Sequence, residues 1–141
     1  MKKAIVVVDM QKDFIDGALG TKEAQEMLPH MEAKLSAAQA AGTKLVFTMD
    51  THGEDYLATQ EGRRLPVPHC IRGTEGWEIA ASLQPFVRAA AAVVEKPAFG
   101  STELPALLED CDEIELVGLC TDICVISNAL VLKAFYPEKK I

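Results

Sequence analysis

The chain has 141 residues, 49% of them apolar and 25% charged, with a formal net charge of −7. This balance fits one globular domain over residues 1–141 and excludes a fibre or a disordered tail. The acidic surplus, without a basic stripe interleaved with aromatics, argues against nucleic acid, and no apolar run approaches the ~20 residues needed to span a bilayer.

In chain order, "AIVVVD" (4–9) is a continuous, mostly β-branched run, the pattern of a strand buried on both faces of a parallel sheet. Its apolar part is short and no small-residue cleavage site follows, so a first strand is expected there and not a leader. A helix is expected from about Pro29, a residue suited to a first helical turn, with Met31, Leu35 and Ala38 on one face and Gly42 as its stop. "KLVFTMD" (44–50) is the second strand. Residues 51–74 show no clear period and read as a long functional loop.

Thr74 opens a short helix over 74–86, "AAAVVEK" (90–96) is a third strand, 101–111 is helical with an interruption near Pro105, and 113–119 is a fourth strand. "TDICVISNALVLKAF" (121–135) opens with two capping residues, Thr121 and Asp122, and continues as a helix packed on the sheet. "YPEKKI" (136–141) reads as the start of another strand, so the last strand-helix unit is expected to be absent and the C-terminus incomplete. Strands alternating with helices predict an α/β fold, a three-layer doubly wound parallel sheet, with ligands beyond the carboxyl ends of its strands.

Asp9, Asp50, Lys96, Cys120 and Cys124 all fall at such strand ends. Each has an ordinary reading: Asp9 as a turn cap, Lys96 as a solvated strand end, the cysteines as small buried hydrophobes. Converging on one edge, they read instead as a general base, a cation that stabilises thiolate and carboxylate, and a nucleophile. Cys124 is the better nucleophile because the first helical turn favours an anion and is expected to lower its pKa, while the same turn offers donors to an oxyanion. The C-x-x-x-C spacing of Cys120 and Cys124 disfavours thioredoxin-like redox work.

"VVVDMQKDF", "KPAFGSTEL" and "VGLCTDICV" together resemble the three signature segments of the isochorismatase-like cysteine hydrolases, most closely the nicotinamidase branch. The resemblance implies a catalytic set of Asp9, Lys96 and Cys124. It implies a non-proline cis peptide at Leu119–Cys120, with the N–H groups of Cys120 and Cys124 lining the oxyanion hole. It implies that Phe14 and Phe99 flank a planar substrate ring, whereas Trp77 fits core packing. "MDTHGEDY" followed by "EGRRLPVPHC" resembles the nicotinamidase metal segment and implies Asp50, His52 and His69 as ligands. The resemblance also implies Glu61, standing where some bacterial nicotinamidases supply an extra carboxylate ligand, one residue further from His69 than in the family. The implied ion is zinc, with iron or manganese as alternatives. The chain departs from the family where many members carry a tryptophan just before the "PxHC"-like segment.

The implied activity is hydrolysis of an amide through a thioester, nicotinamide to nicotinate plus ammonia. Alternatives are a related cysteine hydrolase acting on another small amide or ureide, or a non-catalytic α/β binding module. The expected partner is a small-molecule amide, with no nucleic acid, no membrane and a possible homo-oligomer. Four cysteines in 141 residues do not make a secreted disulfide scaffold, so a cytoplasmic protein with reduced thiols is expected.

Overall fold

The β-branched run near the N-terminus forms β1 (Lys3–Val8), an inner strand of a four-stranded sheet that a computed structural model describes over residues 1–141. β2 (Lys44–Asp50), β3 (Ala92–Lys96) and β4 (Glu113–Gly118) complete it in the order β3-β2-β1-β4, every pairing parallel. Side chains alternate between the two faces, as a period of two requires. Ile5, Val7, Leu45, Phe47 and Met49 join one core cluster, whereas Ala4, Val6, Val8, Val46 and Val94 join the other.

The first face is covered by α1 (Lys12–Ile15), α2 (Lys22–Ala40) and α4 (Gln84–Ala89), which bring Ile15, Met31, Leu35 and Phe86 to it. The second is covered by α5 (Leu104–Leu107) and α6 (Ile126–Phe135) through Leu104 and Leu132. The expected three-layer doubly wound sheet is therefore present. No helix is long and apolar enough to cross a membrane.

Several local expectations are corrected. The helix expected from Pro29 begins at Lys22, where the Thr21 hydroxyl accepts the Ala24 N–H at 3.0 Å, and Pro29 lies inside it. Pro29 removes the N–H that the Gln25 carbonyl would accept, but both residues are exposed, so water can replace that bond. The helix stops as expected, with Gly42 at φ +76°.

Residues 74–86 are not one helix but two 3₁₀ turns, Glu75–Trp77 and Ala81–Leu83, before α4. The stretch between them pairs with the chain after β1, through Lys12 N–H to the Glu78 carbonyl and Ala80 N–H to the Met10 carbonyl, each at 2.9 Å. Thr74 does not cap, because its hydroxyl donates to the Ile71 carbonyl. In 101–111 only α5 is helical, and Pro105 sits in its first turn as a starter and not an interruption. The long loop contains a 3₁₀ turn (Tyr56–Ala58) and a short helix, α3 (Gln60–Arg64), capped by Thr59. At the far end, Lys140 forms a parallel bridge with Glu113, the first residue of the edge strand β4, which fits the strand start read in "YPEKKI".

Where β4 ends, Gly118 has φ +121°, and a Cβ there would lie 2.1 Å from the Val8 carbonyl oxygen. Only glycine combines that backbone with that approach. Gly118→Ala is expected to cost about 3 kcal/mol or more, read as a lowered denaturation midpoint in urea.

Candidate active site

Four strand ends converge beyond the carboxyl edge, at the point where β1 has β2 on one side and β4 on the other. Neighbouring connections leave in opposite directions at such a point and open a crevice. Asp9 follows β1 with φ +50°, an unusual conformation for a residue with a side chain. Its N–H donates to the Thr48 carbonyl at 3.2 Å, and its Oδ1 accepts the Thr48 hydroxyl at 2.7 Å. Its Oδ2 lies 2.7 Å from Lys96 Nζ, and both side chains are completely buried. Lys96, the last residue of β3, also donates to the Ala98 carbonyl at 3.1 Å and lies 3.9 Å from Asp50 Oδ1.

Burial pushes the Asp9 carboxyl above its ordinary range, against the opposing pull of Lys96. Burial alone would lower Lys96, but the charges of Asp9 and Asp50 outweigh it and keep the amine protonated.

Cys124 is buried in a wide π-type turn, Thr121–Val125, that leads into α6. Neither Thr121 nor Asp122 caps this turn, and Cys120 occupies the cap position. The Cys120 carbonyl accepts from Ile123 at 3.2 Å and from Val125 at 3.0 Å, passing over Cys124, while the Cys120 N–H has no acceptor within the protein. The Leu119–Cys120 peptide is cis, as the resemblance implies. The expected lowering of the Cys124 pKa is corrected: burial first, then the Asp9 carboxylate, push the thiol well above its ordinary range. The resting thiol keeps its proton, and a base is needed at the moment of attack.

A second cluster lies on the other side of Asp50. Asp50 Oδ2 is 3.0 Å from His52 Nε2 and 3.4 Å from His69 Nε2. Glu61, carried by α3, places Oε2 3.3 Å from His52 Nε2 and 3.6 Å from His69 Nε2, so the one-residue difference in spacing does not remove it from the cluster. Burial would raise the Asp50 carboxyl, but hydrogen bonds from both imidazoles and the charge of Lys96 hold it down at about 2. Its Oδ1 is buried without a hydrogen-bond partner. His69 Nδ1 faces the Val67 carbonyl at 2.8 Å, which fixes that nitrogen as a donor and orients the ring with Nε2 toward the carboxylates.

Ligand atoms bonded to one ion at about 2.1 Å lie roughly 3.0–3.4 Å apart, the separation of Asp50 Oδ2 from each of the two imidazoles. The donor set of Asp50, His52 and His69, two imidazoles and a carboxylate with their ligand atoms gathered within 4.8 Å of one another, fits a divalent ion.

Members of both clusters line a cavity of about 680 Å³, Cys124 and Cys120 from the first and Asp50, Glu61 and His69 from the second, with Phe14 and Phe99 on its walls. Phe14 stands edge-on to the His69 ring at 5.5 Å. Phe99 is nearly half exposed at the cavity wall. Trp77 is outside this lining; it packs against the first core cluster and its indole N–H donates to the Thr51 hydroxyl. Three residues that sequence reading missed complete the site. Thr48 holds Asp9, Tyr56 stacks edge-on against both His52 and His69, and buried Asn128 reaches Cys124. The signals available were a lone polar residue in the apolar "LVFTM" and a lone amide in "ISNALVL".

A buried acid-amine pair beneath a cysteine turn, on a sheet of this order, is the architecture of the isochorismatase-like hydrolases. The sequence matches the Isochorismatase domain over residues 3–137, and the chain belongs to that family. It is similar to the nicotinamidase/pyrazinamidase PncA of Bacillus subtilis (32% identity, 92% of this chain and 78% of that one, TM-score 0.81). It is also similar to the N-carbamoylsarcosine amidase of Thermoplasma acidophilum (30% identity, 99% and 79%, TM-score 0.80). A third similar structure is the pyrazinamidase of Pyrococcus horikoshii in complex with zinc (26% identity, 96% and 80%, TM-score 0.77).

Zinc added to chelator-treated protein is expected to stabilise it by about 2.7 kcal/mol at a hundredfold excess over Kd. The shift in Tm, followed by scanning fluorimetry, is expected to vanish in His69→Ala.

Proposed function

We propose that the chain is a cysteine amidohydrolase that converts nicotinamide to nicotinate and ammonia. The observation that carries this reading is the buried Asp9–Lys96 pair at 2.7 Å, set behind a cavity whose lining brings Cys124 together with Asp50, Glu61 and His69. The likeness to the Bacillus subtilis nicotinamidase/pyrazinamidase supports the choice of amide.

In this mechanism Asp9 takes the Cys124 proton as the sulfur bonds to the carboxamide carbon, and Lys96 keeps the carboxylate ionised and in place until then. The unpaired Cys120 N–H, with that of Cys124, receives the negative charge that develops on the carbonyl oxygen. Collapse of the tetrahedral species breaks the C–N bond, and the proton held on Asp9 passes to nitrogen, so ammonia leaves and a thioester remains. Asp9 then draws a proton from water as it adds to the thioester, and cleavage of the C–S bond restores the thiol and releases the acid. Asp50, His52 and His69, with Glu61, would hold a divalent ion: zinc, iron or manganese. Such an ion supplies a Lewis-acid position for a ring nitrogen. Phe14 and Phe99 provide aromatic walls for a planar ring.

A second reading is hydrolysis of another small amide or ureide. It is favoured by the cavity of about 680 Å³, which is roomy for one pyridine ring, and by the likeness to the N-carbamoylsarcosine amidase.

Purified protein is expected to release ammonia from nicotinamide, with a loss of about 10⁴-fold or more in Cys124→Ala. Retained turnover in that variant would remove Cys124 from the mechanism. Nicotinamide turnover that is absent or indifferent to chelation, with turnover of another amide in a panel, would establish the second reading.

The pH profile follows from Asp9. The base works only when ionised, and its pKa is raised, so activity is lost as pH falls. The half-point of kcat/KM is expected above the ordinary aspartate value of about 3.9.

A further inference from the structure

Gln11 is completely buried, and every polar atom of its side chain is engaged. Its Oε1 accepts the Asp50 N–H at 2.8 Å, and its Nε2 donates to the Asp50 carbonyl at 2.8 Å and to the Trp77 carbonyl at 2.8 Å. The amide can take only this orientation. Flipped, it would set two N–H groups against the Asp50 N–H and its oxygen against two carbonyls.

The reason for this contact lies in the sheet. The register between β1 and β2 pairs Val8 with Thr48, so the next backbone partner of β2 would be Met10, opposite Asp50. β1 turns away at Asp9, whose φ of +50° aims its carboxylate at Lys96. That turn would leave one edge of the Asp50 peptide bare in a buried place. The Gln11 side chain fills the gap and pairs with Asp50 as a strand would. On the opposite edge, Lys96 is the β3 partner of Asp50, and its carbonyl accepts the Thr51 N–H at 2.9 Å.

From this geometry we infer that Gln11 is a positioning residue for the metal-ligand set: its side-chain amide replaces the missing strand beside Asp50 and holds the Asp50 carboxylate toward His52 and His69. This rests on the reading of Asp50 as a metal ligand. Gln11 thereby joins the two halves of the site, because its own N–H donates to the Asp9 carbonyl at 2.8 Å. Asparagine is one methylene too short for the same reach. Glutamate offers the acceptor for the Asp50 N–H but, when ionised, no donor to the two carbonyls.

The test measures Zn²⁺ affinity by competition with a chromophoric chelator, and the visible d–d spectrum of the Co²⁺-loaded protein. Both are applied to the full chain, to Gln11→Met and to Gln11→Glu. Leu35→Ala, a core truncation remote from the site, serves as the control for lost stability. Gln11→Met is expected to raise the Zn²⁺ Kd about 10- to 100-fold and to alter the Co²⁺ spectrum, with Leu35→Ala keeping both. Wild-type affinity and an unchanged spectrum in Gln11→Met would overturn the inference and leave the metal reading intact. If Gln11→Met does not fold, Gln11→Glu decides by the same two readouts. Failure of the unaltered chain to bind Zn²⁺ or Co²⁺ would overturn the metal reading, and this inference with it.

Discussion

The site is organised by one interaction, the ion pair between Asp9 and Lys96, made where water does not reach either side chain. Removing two opposite charges from water costs several kcal/mol each, and their attraction repays this only if the remaining lone pairs and protons find partners. Thr48 supplies such a partner to the other carboxylate oxygen, and the Ala98 carbonyl one to the ammonium. Much of the crevice follows from this requirement. Asp9 adopts a left-handed backbone to face the amine, and β1 therefore leaves the sheet one residue after Val8. The ammonium in turn stands between Asp9 and Asp50, letting two carboxylates share a small volume.

Such burial also decides how the thiol works. A sulfur beside a helix start would be ionised at rest if water reached it, but Cys124 is buried and faces the Asp9 carboxylate, and both effects favour the protonated form. In the proposed reaction the nucleophile is therefore generated by proton transfer within the substrate complex and does not exist beforehand. A thiol held in this state is also protected from oxidants that attack thiolates.

The sheet was legible in the sequence because strands buried on both faces must be written as continuous apolar runs, and "AIVVV" and "KLVFTM" are such runs. The polar residue closing each run was legible for the same reason, since nothing in the sheet itself calls for an acid or an amine there. Helix ends were less so. Pro29 suits a first turn in isolation, but the position of Thr21 and the exposed face on which Pro29 falls depend on how the helix lies against the sheet. The 3₁₀ segments around Ile79 were hidden because that residue pairs with Gln11, 68 positions away in the sequence. Thr48 and Asn128 were hidden in the same way: a hydroxyl or amide within an apolar stretch shows that a partner exists and not which one.

Asn128 has a consequence for how this site can change. Its Oδ1 accepts the Ser101 N–H at 2.8 Å, and its Nδ2 donates to the Phe99 carbonyl at 3.2 Å and the Cys124 carbonyl at 2.8 Å. One amide thus clamps the loop after β3 to the turn that bears the sulfur. The aromatic wall and the reacting atom form a single mechanical piece, so a substitution that shifts Phe99 outward to admit a bulkier molecule also drags on Cys124. Breadth of substrate and rate of attack are not independent quantities here. A lineage that widens this pocket must first loosen that clamp, or find its extra room on the opposite wall.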